Sequence, residues 1–407
     1  MAPALGVLRH GALRWYLLAR LCGTLAVQMQ TVAVGWQVYE ATHSPLDLGL
    51  IGLSQFLPFI VLILPAGHVA DQYDRRRVVA ACFALQALGA LLMLGYTRAG
   101  VPAVWPVFAI MGLFGVARAF SMPAAQALLP NVVPPEDYGH ALPLSSSANQ
   151  VARLTGPALG GLLYFAGAEP VYAAVALLLA ASCGLILAAR AGRGAAAARV
   201  PLSWQNLLSG LAFVRSRPVV LGAISMDLFA VLFGGATALL PAYAGDILHA
   251  GPVGLGFLRT ASGVGAAICG LALALRPIER RVGRWMFAGV AAFGVATVVF
   301  GVSRSLSLSL AALTVLGAAD MLSVYVRQML VQLATPDAIR GRVSAVNSVF
   351  IGASNEMGEF ESGVTAAWWG VVPAVVVGGA VTMLVAWGWT RLFPSLWKIE
   401  RFPDPAD

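Results

Sequence analysis

Charge is what this 407-residue chain has least of: 11% of its residues are charged and 59% are hydrophobic, whereas a soluble protein carries roughly a quarter charged residues. That ratio excludes a water-soluble globule. Lysine is nearly missing, since Lys398 is the single one among 26 basic residues, so no Gly-rich turn is followed by the Lys that a nucleoside-triphosphate P-loop requires. ATP hydrolysis by this chain is therefore excluded. The four cysteines, Cys22, Cys82, Cys183 and Cys269, fall in four different apolar blocks without a CxxC or a histidine at ligand spacing, which points to inert packing and to no metal site. The histidines His10, His43, His68, His140 and His249 all fall in or beside predicted loops, which argues against an imidazole relay inside the membrane. No nucleophile and base converge, so neither an enzyme nor a cofactor is expected.

What the chain does have is apolar blocks of about twenty residues joined by short polar segments, the length that crosses about 30 Å of hydrocarbon. Twelve spans are predicted, at roughly 15–41, 47–70, 78–98, 103–129, 139–166, 169–190, 218–246, 251–276, 285–304, 306–335, 340–367 and 370–393, with the ends uncertain by about four residues. The first, entered from Arg9 and Arg14, has no cleavage site of small residues and is expected to stay in the mature protein. Assigning the joints alternately puts nineteen Lys and Arg on one side and only Arg98 and Arg304 on the other. Positive residues stay cytoplasmic, so both termini are expected inside, in the cytoplasmic (inner) membrane. The net charge of +8 then expresses topology, not nucleic-acid binding. Trp15, Trp36, Trp105, Trp285, Trp368, Trp369 and Trp387 lie near predicted span ends, where indoles settle at the interface.

The chain also repeats itself. An offset of 202 pairs Gly115 with Gly317, Ser121 with Ser323, Gln126 with Gln328, Pro134 with Pro336 and Gly139 with Gly341, and an offset of 207 pairs Pro45 with Pro252 and Gly49 with Gly256. Shared Pro and Gly punctuation indicates two copies of a six-helix unit, an architecture in which transporters place the substrate between the halves near mid-membrane. The organisation expected is an all-α membrane protein of twelve transmembrane helices in two pseudo-symmetric six-helix bundles. These comprise an amino-terminal bundle over 1–190, a linker with an amphipathic helix over 191–217, a carboxyl-terminal bundle over 218–393 and a cytoplasmic tail over 394–407.

Ionisable residues deep inside spans cost several kcal/mol unless paired or wetted, so each is a functional candidate. They are Arg20, Arg118, Arg153, Asp227, Arg259, Asp320, Arg327, Glu356, Glu359 and Glu361. At the repeat offsets Arg20 corresponds to Asp227 and Arg118 to Asp320, so the amino half twice offers Arg where the carboxyl half offers an acid. Arg20, Thr24, Gln28 and Thr31 form one stripe of the first span. Gln150 and Arg153 do so in the fifth, and Asp320 and Arg327 in the tenth. With Arg118, Arg259, Tyr325 and Asn355 these residues are the expected substrate cavity; packing between helices is the competing reading of the same faces. Three carboxylates within six residues of the eleventh span repel one another, which suits proton exchange. Glu359 is the first candidate for proton coupling, followed by Asp320, Asp227 and Glu356.

Two motifs carry a family resemblance. The joint after the second span reads Gly67-His68-Val69-Ala70-Asp71-Gln72-Tyr73-Asp74-Arg75-Arg76-Arg77, and the fifth span contains Gly156-Pro157-Ala158-Leu159-Gly160-Gly161. The first resembles the cytoplasmic signature of the major facilitator superfamily, with Asp74 where many members have Gly and Gln72 where they have Arg or Lys. The second is similar to the GPxxGG core of its antiporter motif. The stretches Trp36–Glu40 and Ser44–Leu46 look closest to the branch containing the enterobactin exporter and macrolide efflux proteins. Physically, Asp71 can accept hydrogen bonds from Arg75 or Arg76 and from the helix start near Arg340, a cytoplasmic gate with Gly67 at its base. Gly156, Pro157, Gly160 and Gly161 allow close helix approach with a kink. The resemblance implies a proton-coupled secondary transporter, a monomer in the lipid bilayer, that exports amphipathic small molecules of siderophore or drug type by alternating access. An uptake symporter of the same fold and a lysolipid transporter are the rivals.

Overall fold

A computed structural model describes residues 6–100, 102–189 and 204–403. The described chain is helical throughout, without strands, as expected where every backbone N–H and C=O must be satisfied in hydrocarbon. The helices are α1 Gly11–Thr42, α2 Pro45–Gln72, α3 Arg75–Ala99, α4 Trp105–Val132, α5 Tyr138–Tyr164, α6 Ala168–Ala188, α7 Trp204–Ser216, α8 Pro218–Phe233, α9 Gly251–Leu275, α10 Val282–Val302, α11 Leu306–Leu333, α12 Asp337–Trp369, α13 Val371–Leu392 and α14 Pro394–Trp397. Local chemistry sets their ends. The Asp74 carboxylate accepts the Arg76 N–H at the start of α3, and Gly100 closes that helix in the left-handed region at φ 59°.

The chain forms two compact units, residues 1–41 with 54–199 and residues 42–53 with 200–407, so α2 begins in one unit and ends in the other. The internal repeat is visible in how each unit packs. α3 lies against α6 and α4 in the first; α10 lies against α13 and α11 at the equivalent places of the second. A methyl group on Gly115 of α4 would run into the Gln55 carbonyl of α2, and one on Gly317 of α11 into the Ser262 carbonyl of α9. Those four residues are related by the offsets 202 and 207. Likewise Gly156 of α5 meets Gln28 of α1, while Gly358 of α12 meets the Val231 and Leu232 carbonyls of α8. Close backbone contact replaces hydrophobic exclusion here, because lipid tails are as apolar as leucine and helices associate through tight packing.

Among the described residues, ten helical segments are long and apolar enough to cross a membrane. α5, with 27 residues, and α12, with 33, are long enough but too polar to be counted with them. They are repeat equivalents, and their Gln, Arg, Asn and Glu side chains need a wet or protein-lined face. Exposed Trp15, Trp105, Trp285, Trp368 and Trp387 all stand near helix ends, as interfacial anchors do.

The seventh span departs from expectation. Instead of one helix over 218–246, α8 stops at Phe233, and after Gly234-Gly235 the chain continues as a tight turn Ala236–Leu239, a short helical turn Leu240–Ala242 and a wide turn Tyr243–Ile247. Two glycines remove the side chains that would favour continuing the helix. At the break, the hydroxyl of Thr382 donates to the Ala230 carbonyl at 3.1 Å, and Gly235 packs directly on the Gly358 backbone. The segment after α13 is also ordered. Gly283 donates its N–H to the Ile399 carbonyl at 3.0 Å, and Leu396 is wholly buried.

Candidate functional site

In the second unit the repeat places Asp227 on α8 opposite Arg327 on α11. Their side chains form an ion pair at 3.1 Å, 2% exposed for Arg327 and 7% for Asp227. Arg327 also donates through Nη1 to the Asn347 Oδ1 of α12 at 3.3 Å. Asp320, two helical turns earlier on α11, lies in the field of both Asp227 and Arg327. Asp227 and Asp320 line one small cavity with Ala230, Val231, Val290, Phe293 and Ser323, with room for about one water. With both carboxylates ionised this cluster holds two negative charges against one positive; a single proton makes it neutral. A guanidinium cannot lose its proton in a protein, so the exchangeable proton belongs to the acids.

The carboxylates of α12 form a second group. Glu356 and Glu359, one turn apart, both direct an oxygen toward Gly52 of α2, where a methyl group would press on the Glu359 carboxylate. Glu359 also acts electrostatically on Arg259 of α9, whose Nε is buried without a hydrogen-bond partner. Asn355 donates to the Ile351 carbonyl at 2.9 Å, one turn back on its own helix. Tyr325 packs edge-on against Phe402 with ring centres 6.3 Å apart, beside an apolar cluster that includes Met286 and Val326.

The first unit carries arginines instead. Arg20 of α1 and Arg118 of α4 both act electrostatically on Arg153 of α5, which is exposed. Arg118 lies over the Phe59 ring at 4.9 Å, and the Nε of Arg20 is buried with no hydrogen-bond partner. One turn beyond Arg20, the Thr24 hydroxyl donates to Asn149 Oδ1 at 2.9 Å, joining α1 to α5. Thr31 is satisfied by the Val27 carbonyl of its own helix at 2.9 Å. Gln28 packs on Gly156, and Gly160 lies against the Met29 backbone, so the GPxxGG segment is where α5 crosses α1 most closely. Pro157 and Gly161 are buried in the same helix, and Gln150 is exposed. Sequence reading missed Asn149, Asn347, Phe59 and Gly52. Each lies on a face already marked by a charged or polar neighbour, but none is ionisable.

The described side chains of the expected gate have the following partners. Arg75 donates to the Ala70 and Ala127 carbonyls at 3.4 and 3.3 Å, and Arg76 pairs with Asp74 at 3.4 Å. Arg75 thus ties the end of α2 to α4 through backbone oxygens. Gly67 sits within the last two turns of α2, and the side chain of Asp71 lies outside the described residues. Arg340 donates to the Thr335 carbonyl at 3.2 Å. Outside the spans, Asp137 accepts from His10 at 2.7 Å and Arg9 at 3.4 Å, and the hydrogen bond from His10 holds its carboxyl below the usual range.

A sequence profile described as a transmembrane secretion effector matches residues 2–400 of this chain. The chain belongs to that family of the major facilitator superfamily. Among its relatives in the superfamily, the uncharacterized MFS-type transporter YfiS of Bacillus subtilis (strain 168) is 25% identical over 85% of this chain and 84% of its own. The enterobactin exporter EntS of Shigella boydii serotype 18 is 25% identical over 83% of this chain and 81% of its own. Among solved structures, a bacterial homolog of the human lysosomal transporter Spinster, inward-facing and unoccupied, superposes with a TM-score of 0.73 at 12% identity. That match covers 95% of this chain and 97% of the other. A bacterial homologue of the iron transporter ferroportin gives a TM-score of 0.67 at 16% identity over 93% and 98%. These likenesses establish the superfamily fold: the chain is an integral membrane transporter of small molecules and not an enzyme.

Proposed function

We propose that this transporter exports amphipathic small molecules from the cytoplasm in exchange for protons. The observation that carries the reading is the buried group of Asp227, Asp320 and Arg327. An ion pair that served packing alone would need one acid. A second acid in the same small cavity adds a negative charge that the low-dielectric interior tolerates poorly, and binding one proton removes it. Asp320 is the proton carrier in this reading, with Arg327 holding Asp227 ionised beside it. Glu359 and Glu356 form a second proton-accepting group near Arg259 and exchange protons on the opposite stroke of an alternating-access cycle. Export is supported by the relative named as an enterobactin exporter. The basic joints orient both termini toward the cytoplasm of the inner membrane.

The reading is tested in proteoliposomes with an imposed proton gradient. Substrate flux must follow the gradient, and Asp320→Asn must uncouple it while leaving downhill exchange intact. Flux that ignores the gradient, or full coupled transport by both Asp320→Asn and Glu359→Gln, refutes proton coupling through these acids. Substrate accumulating on the side that corresponds to the cytoplasm would show uptake instead.

A further inference from the structure

One hydroxyl of the second unit behaves unlike its counterparts. Serines in a helix can return their hydroxyl to a carbonyl about one turn back. Ser225 does so to the Leu221 carbonyl at 2.6 Å, Ser262 to the Arg259 carbonyl at 3.1 Å and Ser354 to the Ile351 carbonyl at 3.1 Å. Ser121 of α4 bonds the Arg118 carbonyl at 3.4 Å in the same way. The offset of 202 relates Ser121 to Ser323 of α11, as it relates Arg118 to Asp320, yet the Ser323 Oγ is buried without a hydrogen-bond partner. Ser323 is only 3% exposed, and an unsatisfied hydroxyl at that depth is costly. What Ser323 lines instead is the small cavity of Asp227 and Asp320. Asp320 precedes it by three residues on α11, so the two side chains share a face of that helix. Asp227 reaches the cavity from α8, paired with Arg327 at 3.1 Å. The remaining lining residues, Ala230, Val231, Val290 and Phe293, have no polar side-chain atom.

We propose that this cavity is a binding site for a single water, and that Ser323 is the positioning residue that holds the water between the Asp227 and Asp320 carboxylates. The proposal rests on the proton reading above and adds to it the path by which the two acids share one proton. A buried water makes about three hydrogen bonds, and Asp227, Asp320 and Ser323 supply them. With both acids ionised, the water accepts from the Ser323 hydroxyl and donates one hydrogen to each carboxylate. With Asp320 protonated, the water accepts from that acid too and keeps its bond to Asp227. Ser323 is the constant donor in both states, and being neutral it does not compete with Arg327 for the acids. Proton transfer then leaves no free ion in the low-dielectric interior. The Asp320 proton passes to the water oxygen as one of the water's own protons passes to Asp227, so the water stays neutral and the added proton changes carboxylate. The charged groups that act on Asp320 are Asp227 and Arg327, and Arg327 is held in place by Asn347 of α12 at 3.3 Å.

The test is infrared difference spectroscopy of the purified full-length protein in lipid bilayers, switched between acid and alkaline buffer, in ordinary water and in water enriched in the heavy oxygen isotope. Protonation of Asp320 gives a carboxylic carbonyl band that Asp320→Asn lacks. A water that changes partners gives O–H stretching bands that move with the oxygen isotope, whereas those of protein hydroxyls stay. Wild type is expected to show both signals. Ser323→Ala is expected to lose the isotope-sensitive band and to shift the carboxylic band to higher frequency, as a carboxyl with fewer hydrogen bonds does. Its gradient-driven flux in proteoliposomes is expected to fall about tenfold, as for loss of one buried hydrogen bond. Ser121→Ala removes the repeat-related hydroxyl, which is already bonded to its own helix, and serves as the control that keeps wild-type bands and flux. A carboxylic band with no isotope-sensitive water band in wild type overturns the proposal, as does a water band that Ser323→Ala leaves in place. Either result leaves the proton reading standing. The absence of any Asp320-dependent carboxylic band is the separate outcome that sinks the proton reading, and this inference with it.

Discussion

The ion pair at the centre of the second unit allows a stability test whose outcome depends on counting charges. At 3.1 Å and an effective dielectric of about 20, the gross attraction between Asp227 and Arg327 is about 5 kcal/mol, most of which offsets the desolvation of both groups. Asp227→Asn leaves Arg327 with Asp320 in the same field, so we expect a cost of only about 1–2 kcal/mol. Asp320→Asn removes the surplus negative charge and is expected to fall within about 1 kcal/mol of wild type. Combining the two strands a guanidinium that cannot neutralise itself, and that double variant is expected to lose about 3–5 kcal/mol, more than the singles together. Unfolding in mixed micelles by titrated denaturing detergent at pH 7 measures all three. Strict additivity would refute the idea that both acids share Arg327, and a strongly destabilising Asp320→Asn would refute the idea that its charge is the surplus one.

Three further outcomes are expected. Gly115→Ala and Gly317→Ala should each cost about 1–3 kcal/mol by pressing a methyl into the Gln55 or Ser262 carbonyl, read in the same unfolding assay; neutral substitutions would show that the helices can separate without penalty. Leu396→Ala, at a fully buried position of the ordered tail, should cost about 2–5 kcal/mol, whereas a tail that merely hangs from α13 would tolerate it. Asp137 has a lowered folded pKa because His10 donates to it, so its stabilising contribution is complete above the ordinary carboxylate value of about 4 and is lost as pH falls through the lower folded one. The difference in thermal unfolding between wild type and Asp137→Asn should therefore be present at pH 6 and close in acid; a gap that widened in acid would contradict the assigned bond.

Hydropathy, positive-charge bias and the Pro and Gly repeat are properties of composition along the chain, and the lipid solvent leaves few structures that satisfy them. For that reason the helical class, the family and the ends of most spans could be read from the amino acids, within a few residues for α2, α6 and α9. Ionisable side chains inside apolar blocks were equally conspicuous, because membrane burial is costly enough that each one demands a reason. Which charge meets which is different information. That Asp227 faces Arg327 depends on helix rotation and crossing, which are fixed by contacts such as Gly317 on Ser262 and Gly160 on Met29. The break after Phe233 likewise needed tertiary structure, since a Gly pair permits a helix to end but the Thr382 hydroxyl and the Gly358 backbone make ending it favourable. Linear sequence thus determined what must be buried and how often the chain crosses; packing between helices distant in sequence decided which charges are paired, as Asp227 is with Arg327.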